Sequence, residues 1–164
     1  IILFVPKFDY IQKRLFSFID PNSGNNYQSE KASEAISSGG FFGKGIGEGT
    51  LNSRIPEAHT DYIISVISEE FGILIVIFIM LILLIFSYQV LKKINLESDN
   101  KAKLILVGSI TIILLQAFIH IGVNIRFLPT TGMTLPFLSY GGSSIISTAI
   151  LSGIILNLTK RKLT

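Results

Sequence analysis

Between Phe71 and Leu91 the chain reads FGILIVIFIMLILLIFSYQVL, 21 residues without a charged side chain. As a helix rising about 1.5 Å per residue, this run covers the ~30 Å hydrocarbon core of a bilayer. Lipid is therefore the solvent in which this chain folds. A second run, LILVGSITIILLQAFIHIGV, covers Leu104 to Val123, and a third covers Leu138 to Leu158, starting in SYGGSS. Apolar residues make up 49% of the chain and its mean hydropathy is +0.59, values that fit a membrane class and exclude an ordinary soluble domain. The expected fold class is all-α, a polytopic bundle of transmembrane helices with a large extracytoplasmic loop.

The segments between the spans set the orientation. Residues 92–103 carry Lys92, Lys93, Lys101 and Lys103, and residues 159–164 read TKRKLT. Short basic segments stay in the cytoplasm, so both are expected there, which makes the C-terminus cytoplasmic and turns residues 7–70 and 124–137 outward. Residues 7–70 also carry Lys7, Lys13, Arg14, Lys31, Lys44 and Arg54, but long translocated loops are largely exempt from the rule. The apolar residues 1–6, IILFVP, are too few to cross a membrane and no secretory-signal pattern follows, so they are read as the end of a truncated helix and the chain as a fragment. A net charge of +3 adds little, and the absence of cysteine excludes disulfides, thiol nucleophiles and cysteine metal sites.

A loop as long as 7–70 has a function or is disordered. Within it, YQSEKASEAISS (Tyr27–Ser38) spaces Ala32, Ala35 and Ile36 for a short interfacial helix. GGFFGKGIGEG then places six glycines in eleven residues. A dinucleotide site would need a strand before these glycines and a βαβ unit around them, and a phosphate loop would need Ser or Thr after Lys44, so both readings fail. Tight turns packed at the membrane surface remain, with Lys44 free to meet an anionic headgroup. DYIISVISEE sets Tyr62, Ile63, Val66 and Ile67 on a helix face that continues into the first span.

Asp61 is the leading candidate for chemistry. A carboxylate at the boundary between water and lipid can take a proton from a sugar or lipid hydroxyl. The plainer alternative makes Thr60 or Asp61 a helix cap or first-turn acid. Glu57, Glu69 and Glu70 read as solvated interfacial acids. His59 can orient Asp61 or bind phosphate, but a lone histidine is a poor metal site. Inside the second span, Gln116, His120 and Asn124 recur every fourth residue as one polar stripe, which either hydrogen-bonds across helices or walls a substrate cavity. Ser144, Thr148 and Ser152 repeat at the same spacing and read as close helix packing. Arg126, on the outward loop, suits a phosphate.

SGGFFGKGIGEG, PEAHTDYIISVISEEFG and NIRFLPTTGMTLPFLSYGGSS, in this order and separated by spans, closely resemble the SEDS family of cell-wall polymerases, the FtsW/RodA/SpoVE group. The resemblance runs from about Phe16 to Leu158 and implies the last helices of a ten-helix fold in the bacterial inner membrane. It implies a glycosyltransferase that polymerises lipid II into peptidoglycan strands on the outer face, releasing undecaprenyl pyrophosphate. The family's catalytic aspartate falls in its HTD motif and matches Asp61, as general base on the acceptor's 4-hydroxyl. The same resemblance puts Lys44, Glu57, His59, Thr60, Arg126, Thr130, Ser139, Gly141, Gly142 and Ser143 around the substrate. Lys44, Arg54 and Arg126 are the cations available to a departing pyrophosphate.

No cofactor is demanded, and a divalent cation stays open. The implied partners are lipid II, membrane lipids, a class B penicillin-binding transpeptidase and the division proteins, with no nucleic acid. PEAHTD is more similar to the division branch than to the elongation branch, whereas Thr131 stands where many division members have lysine. Two rivals of other classes are a lipid II flippase, for which the Gln116 stripe would matter most, and a structural scaffold for division.

Overall fold

The computed structural model describes residue 18, residues 27–50, residue 55 and residues 57–160. The expectations placed on residues 1–6, on Lys7, Lys13, Arg14 and Arg54, and on the last four residues of the tail lie outside the described residues. Five helices follow one another: α1 (Tyr27–Gly39), α2 (Ile63–Phe71), α3 (Ile73–Leu96), α4 (Asn100–Asn124) and α5 (Gly142–Thr159). The described residues form no strand. Helices α3, α4 and α5 are each long and apolar enough to cross a membrane.

The three spans pack through aliphatic side chains. Val90 of α3, Leu106, Ile110 and Ile113 of α4, and Ile155 of α5 form one buried cluster, flanked by Phe86, Ile94, Leu151 and Leu158. Their other faces leave large apolar side chains such as Leu74, Phe78, Leu84, Leu115, Phe118, Ile146 and Ile150 exposed, as a surface solvated by acyl chains requires. Helix α5 carries several hydroxyls, yet Ser147, Thr148, Ser152 and Thr159 each donate to the carbonyl four residues back, at 2.7 to 2.9 Å. Those polar groups are satisfied within their own helix.

The span limits differ from expectation at both ends. Helix α3 runs five residues beyond Leu91, because Lys92 and Lys93 lie in its last turns, where cations complement the carbonyl end of a helix and long side chains reach water. The α3–α4 turn is therefore only Glu97–Asp99, with the Asp99 carboxylate accepting from Lys101 N at 3.0 Å as the cap of α4. The third span starts at Gly142 rather than Leu138, since Leu138 and Ser139 are held in a turn by their amides, both donating to Leu135 O.

The expectation of one continuous helix from Tyr62 into the first span is overturned at Gly72. Its φ of 84° and ψ of 171° belong to a region that only glycine visits freely, and α2 stops there before α3 begins. The glycine-rich segment seats itself on this break. Lys44 N donates to Glu69 O at 2.9 Å and Gly45 N to Glu70 O at 3.0 Å, while Ile73 N donates to Gly40 O at 3.0 Å. Carbonyls left over at the end of α2 and an amide left over at the start of α3 thus find partners in one loop. The approach is very close: a β-carbon at Gly72 would lie 2.2 Å from Phe41 O, and one at Gly43 2.2 Å from Glu70 O.

Helix α1 forms where expected, over Tyr27–Gly39, and packs on α2 through Ala32 and Ala35, which join Ile55, Ala58, Tyr62, Val66 and Val123 in a second cluster. The loop, the helix break and the C-terminal end of α4 are therefore one packed unit. Gly72→Ala should cost about 3 kcal/mol, from a strained backbone and a carbonyl clash together. Thermal unfolding of the full-length protein in detergent checks this, and an unchanged melting temperature would mean that the loop does not sit on the break.

Candidate functional site

The segment Glu57–Tyr62 is a turn that enters α2, and it brings Asp61 to the C-terminal end of α4. Thr60 N and Asp61 N both donate to Glu57 O at 3.1 Å, and the Thr60 hydroxyl donates to the same carbonyl at 3.0 Å. The cap position of α2 is Tyr62, without a side-chain cap, so the capping reading of Thr60 and Asp61 does not hold. Glu57 and His59 are exposed, while Thr60 and Asp61 are half-buried.

Three hydrogen bonds from distant residues fix this turn. Asn124 Nδ2 donates to Asp61 O at 3.1 Å, the Ser139 hydroxyl donates to Thr60 O at 2.7 Å, and Tyr140 N donates to His59 O at 3.0 Å. Asn124 is fully buried, donates to His120 O at 2.8 Å as well, and accepts from the Ser65 hydroxyl at 2.9 Å. Every backbone carbonyl of His59–Thr60–Asp61 is thus held from the far end of the chain.

The polar stripe of α4 is a row of anchors for the loop that follows it. Gln116 Nε2 donates to Thr134 Oγ1 and to Ser144 Oγ, each at 3.1 Å, and His120 Nδ1 lies 2.7 Å from Met133 O. Each member of the stripe thus makes at least one hydrogen bond, while His120 Nε2 is buried without a hydrogen-bond partner among the described residues. The loop so held delivers Gly132, φ +71°, beside the acid: a β-carbon there would lie 3.5 Å from Asp61 Oδ2. Glu57, Arg126 and Phe137 are the non-glycine residues with left-handed φ among the described residues, at 60°, 60° and 68°. Glu57 opens the turn that carries Asp61, Arg126 pairs with Glu30, and the Phe137 ring meets Phe86 edge-on with centroids 6.4 Å apart.

The other expected site residues divide. Thr130 is half-buried in the loop beside Gly132, and Ser143 is exposed in the first turn of α5. Ser139 is buried, and its hydroxyl also accepts from Leu135 N at 2.8 Å, so it holds the turn rather than facing open space. Gly141 lets Thr134 approach, its absent β-carbon falling 3.2 Å from Thr134 Cγ2, and Gly142 faces nothing within 4 Å.

Lys44 and Glu69 require the clearest correction. Glu69, expected to be solvated, has no exposed side-chain surface; its Oε1 accepts from Lys44 Nζ at 2.9 Å and from Thr50 N at 3.0 Å. The reason is the loop fold itself, which covers the end of α2 and needs an acceptor there. Lys44 already serves a carboxylate. Arg126 lies 3.8 Å from Glu30 in a loose, half-exposed pair. Among the described residues no three histidine or acidic side chains gather to hold a metal ion.

A family model described as cell cycle protein, FtsW/RodA/SpoVE, matches residues 1–163. The chain belongs to the FtsW/RodA/SpoVE family. Relatives named "Probable peptidoglycan glycosyltransferase FtsW" include one from Caulobacter vibrioides, 37% identical, with the match covering 94% of this chain and 40% of that one. Another, from Borreliella burgdorferi, is 41% identical, covering 92% and 43%. The chain therefore spans about two fifths of the length of these relatives. A solved chain from work on structural coordination of polymerization and crosslinking by a peptidoglycan synthase complex has a TM-score of 0.71 and 25% identity, covering 95% of this chain and 44% of that one. The family's HTD motif is thus the turn that Asn124, Ser139 and Tyr140 hold.

Lys44→Met leaves the Glu69 carboxylate buried without its cation. Since the lysine side chain is 33% exposed, the cost should be about 2 kcal/mol, below that of breaking a fully buried pair. Adding Glu69→Gln should recover most of that loss in thermal unfolding, and a double variant no more stable than Lys44→Met would show that the ion pair is not the cause.

Proposed function

We propose that this chain carries the outer-face part of a peptidoglycan glycosyltransferase that polymerises lipid II during cell division. Asp61 is the general base: its carboxylate takes the proton of the acceptor sugar's 4-hydroxyl as that oxygen attacks the anomeric carbon of the donor. The bond from that carbon to undecaprenyl pyrophosphate breaks, and the pyrophosphate leaves with the electron pair. The observation that carries this reading is the three-point anchoring of the HTD turn, which fixes the carboxylate before substrate arrives. Positioning of this kind is where a proton-accepting group gains its effect.

The names of the relatives support the reaction class, and the solved peptidoglycan synthase complex supports a penicillin-binding transpeptidase as partner. The site sits at the opposite end of α4 from the lysines that flank the α3–α4 turn, Lys92, Lys93, Lys101 and Lys103, which supports Asp61 outside and that turn and the C-terminus in the cytoplasm of a multi-pass inner-membrane protein. Arg126 is the cation to meet the pyrophosphate, because its contact with Glu30 is long and half-exposed whereas Lys44 is committed to Glu69. A flippase reading leans on the Gln116 stripe as a cavity wall; against it, Gln116 and His120 Nδ1 are hydrogen-bonded to the loop after α4 and Asn124 to the turn that carries Asp61.

Asp61→Asn in the full-length protein, purified with its transpeptidase, should lower glycan synthesis from labelled lipid II at least ~100-fold while membrane insertion and complex formation stay unchanged. Parental polymerisation by that variant would remove Asp61 from the mechanism. Asn124→Leu frees the Asp61 carbonyl and should lower kcat about tenfold or more with KM little changed. A rise in KM alone would place Asn124 in substrate binding instead.

A further inference from the structure

The glycine-rich loop has a second face, away from α2, that the anchoring contacts leave unused. Phe41, Phe42 and Ile46 lie within six residues of one another and are 70%, 84% and 79% exposed. Three large apolar side chains crowded on one loop tip mark a surface that meets something apolar. The position of this tip is set by hydrogen bonds: Gly40 O accepts from Ile73 N, the first residue of the span α3, and Gly43 N donates to Gly39 O at 2.8 Å. Phe41 O packs directly against Gly72, at the break where α3 begins. The tip therefore stands level with the first turn of a membrane-crossing helix whose own Leu74, Ile75 and Phe78 are exposed toward lipid.

We infer that Phe41, Phe42 and Ile46 insert into the outer leaflet at the boundary between headgroups and acyl chains, as an anchor that holds the extracytoplasmic loop down on the bilayer. The occupant of the patch is the bilayer itself, because the backbone of the patch is joined to the first residues of a membrane-crossing helix, at Gly72 and Ile73, where the bilayer surface must lie. Phenylalanine and aliphatic side chains on peripheral elements bury to this depth, roughly 5–10 Å into the boundary. The anchor acts on the same loop that supplies Lys44 to Glu69, so the bilayer and the buried carboxylate grip the loop from opposite sides. This inference is independent of the role given to Asp61.

The test places a nitroxide at position 42 (Phe42→Cys) and, separately, at the exposed polar position 48 of the same loop (Glu48→Cys), in the full-length protein freed of other cysteines and reconstituted in phospholipid vesicles. Both sites are exposed, so neither label should disturb folding. Power saturation by oxygen, which concentrates in acyl chains, and by a water-soluble nickel chelate reads the depth of each. The expected result is oxygen-dominated relaxation at position 42 and nickel-dominated relaxation at 48. Nickel-dominated relaxation at both positions would overturn the inference, because the tip would then stand in water. Weak collision with both reagents at position 42 would also overturn it, showing protein rather than lipid over the patch.

Discussion

A helix that ends at the membrane surface leaves amides and carbonyls with no partner, and in this chain that shortage occurs twice within three residues, on either side of Gly72. One loop answers it. Gly40, Lys44 and Gly45 supply the missing backbone partners, and the side chain of Lys44 adds a charge for Glu69. The arrangement works only where two stretches of backbone touch, which is why Gly43 and Gly72 carry no side chain at the crossing. Beside it, α1 packs on α2 through Ala32 and Ala35, in the same cluster as Ala58 and Tyr62 of the turn that enters α2.

From that base, the candidate site is assembled by hydrogen bonds across large sequence separations. The turn comes from residues 57–62, its anchors from Asn124, Ser139 and Tyr140, and the neighbour of the carboxylate from Gly132. The polar stripe in α4 is costly in hydrocarbon, and each member offsets part of that cost with a hydrogen bond to the loop that follows α4 or to the turn that carries Asp61. A membrane-buried row of amide and imidazole groups is the means by which a surface loop is held in place over an acid.

Much of this was legible in the residues. The long uncharged runs announced the three spans, the alanine spacing announced α1, and the polar stripe announced a face that must find partners. The break at Gly72 was not legible, because the apolar pattern runs through it and its cause lies thirty residues earlier in the loop. Glu69 misled for a related reason: an acid beside a membrane run reads as solvated, and its burial depends on a lysine that sequence spacing does not bring near. The HTD motif pointed to Asp61 through its resemblance to a family, whereas the anchors of the turn, above all Asn124, needed the fold. Ser139 shows the limit of a motif read alone, since its hydroxyl is consumed in holding Thr60 and Leu135.

The hydroxyls folded back onto α5 set its relation to the rest of the bundle. Ser147, Thr148, Ser152 and Thr159 ask nothing of their neighbours, so along most of its length α5 meets α4 and lipid as a smooth hydrocarbon rod. Only Ser144, at its outer tip, is tied across to Gln116 and Thr134. Away from that one pinned end α5 is held by hydrocarbon contact alone, through Ile155 and its neighbours, whereas α4 is the mast to which the polar loop and the turn are lashed.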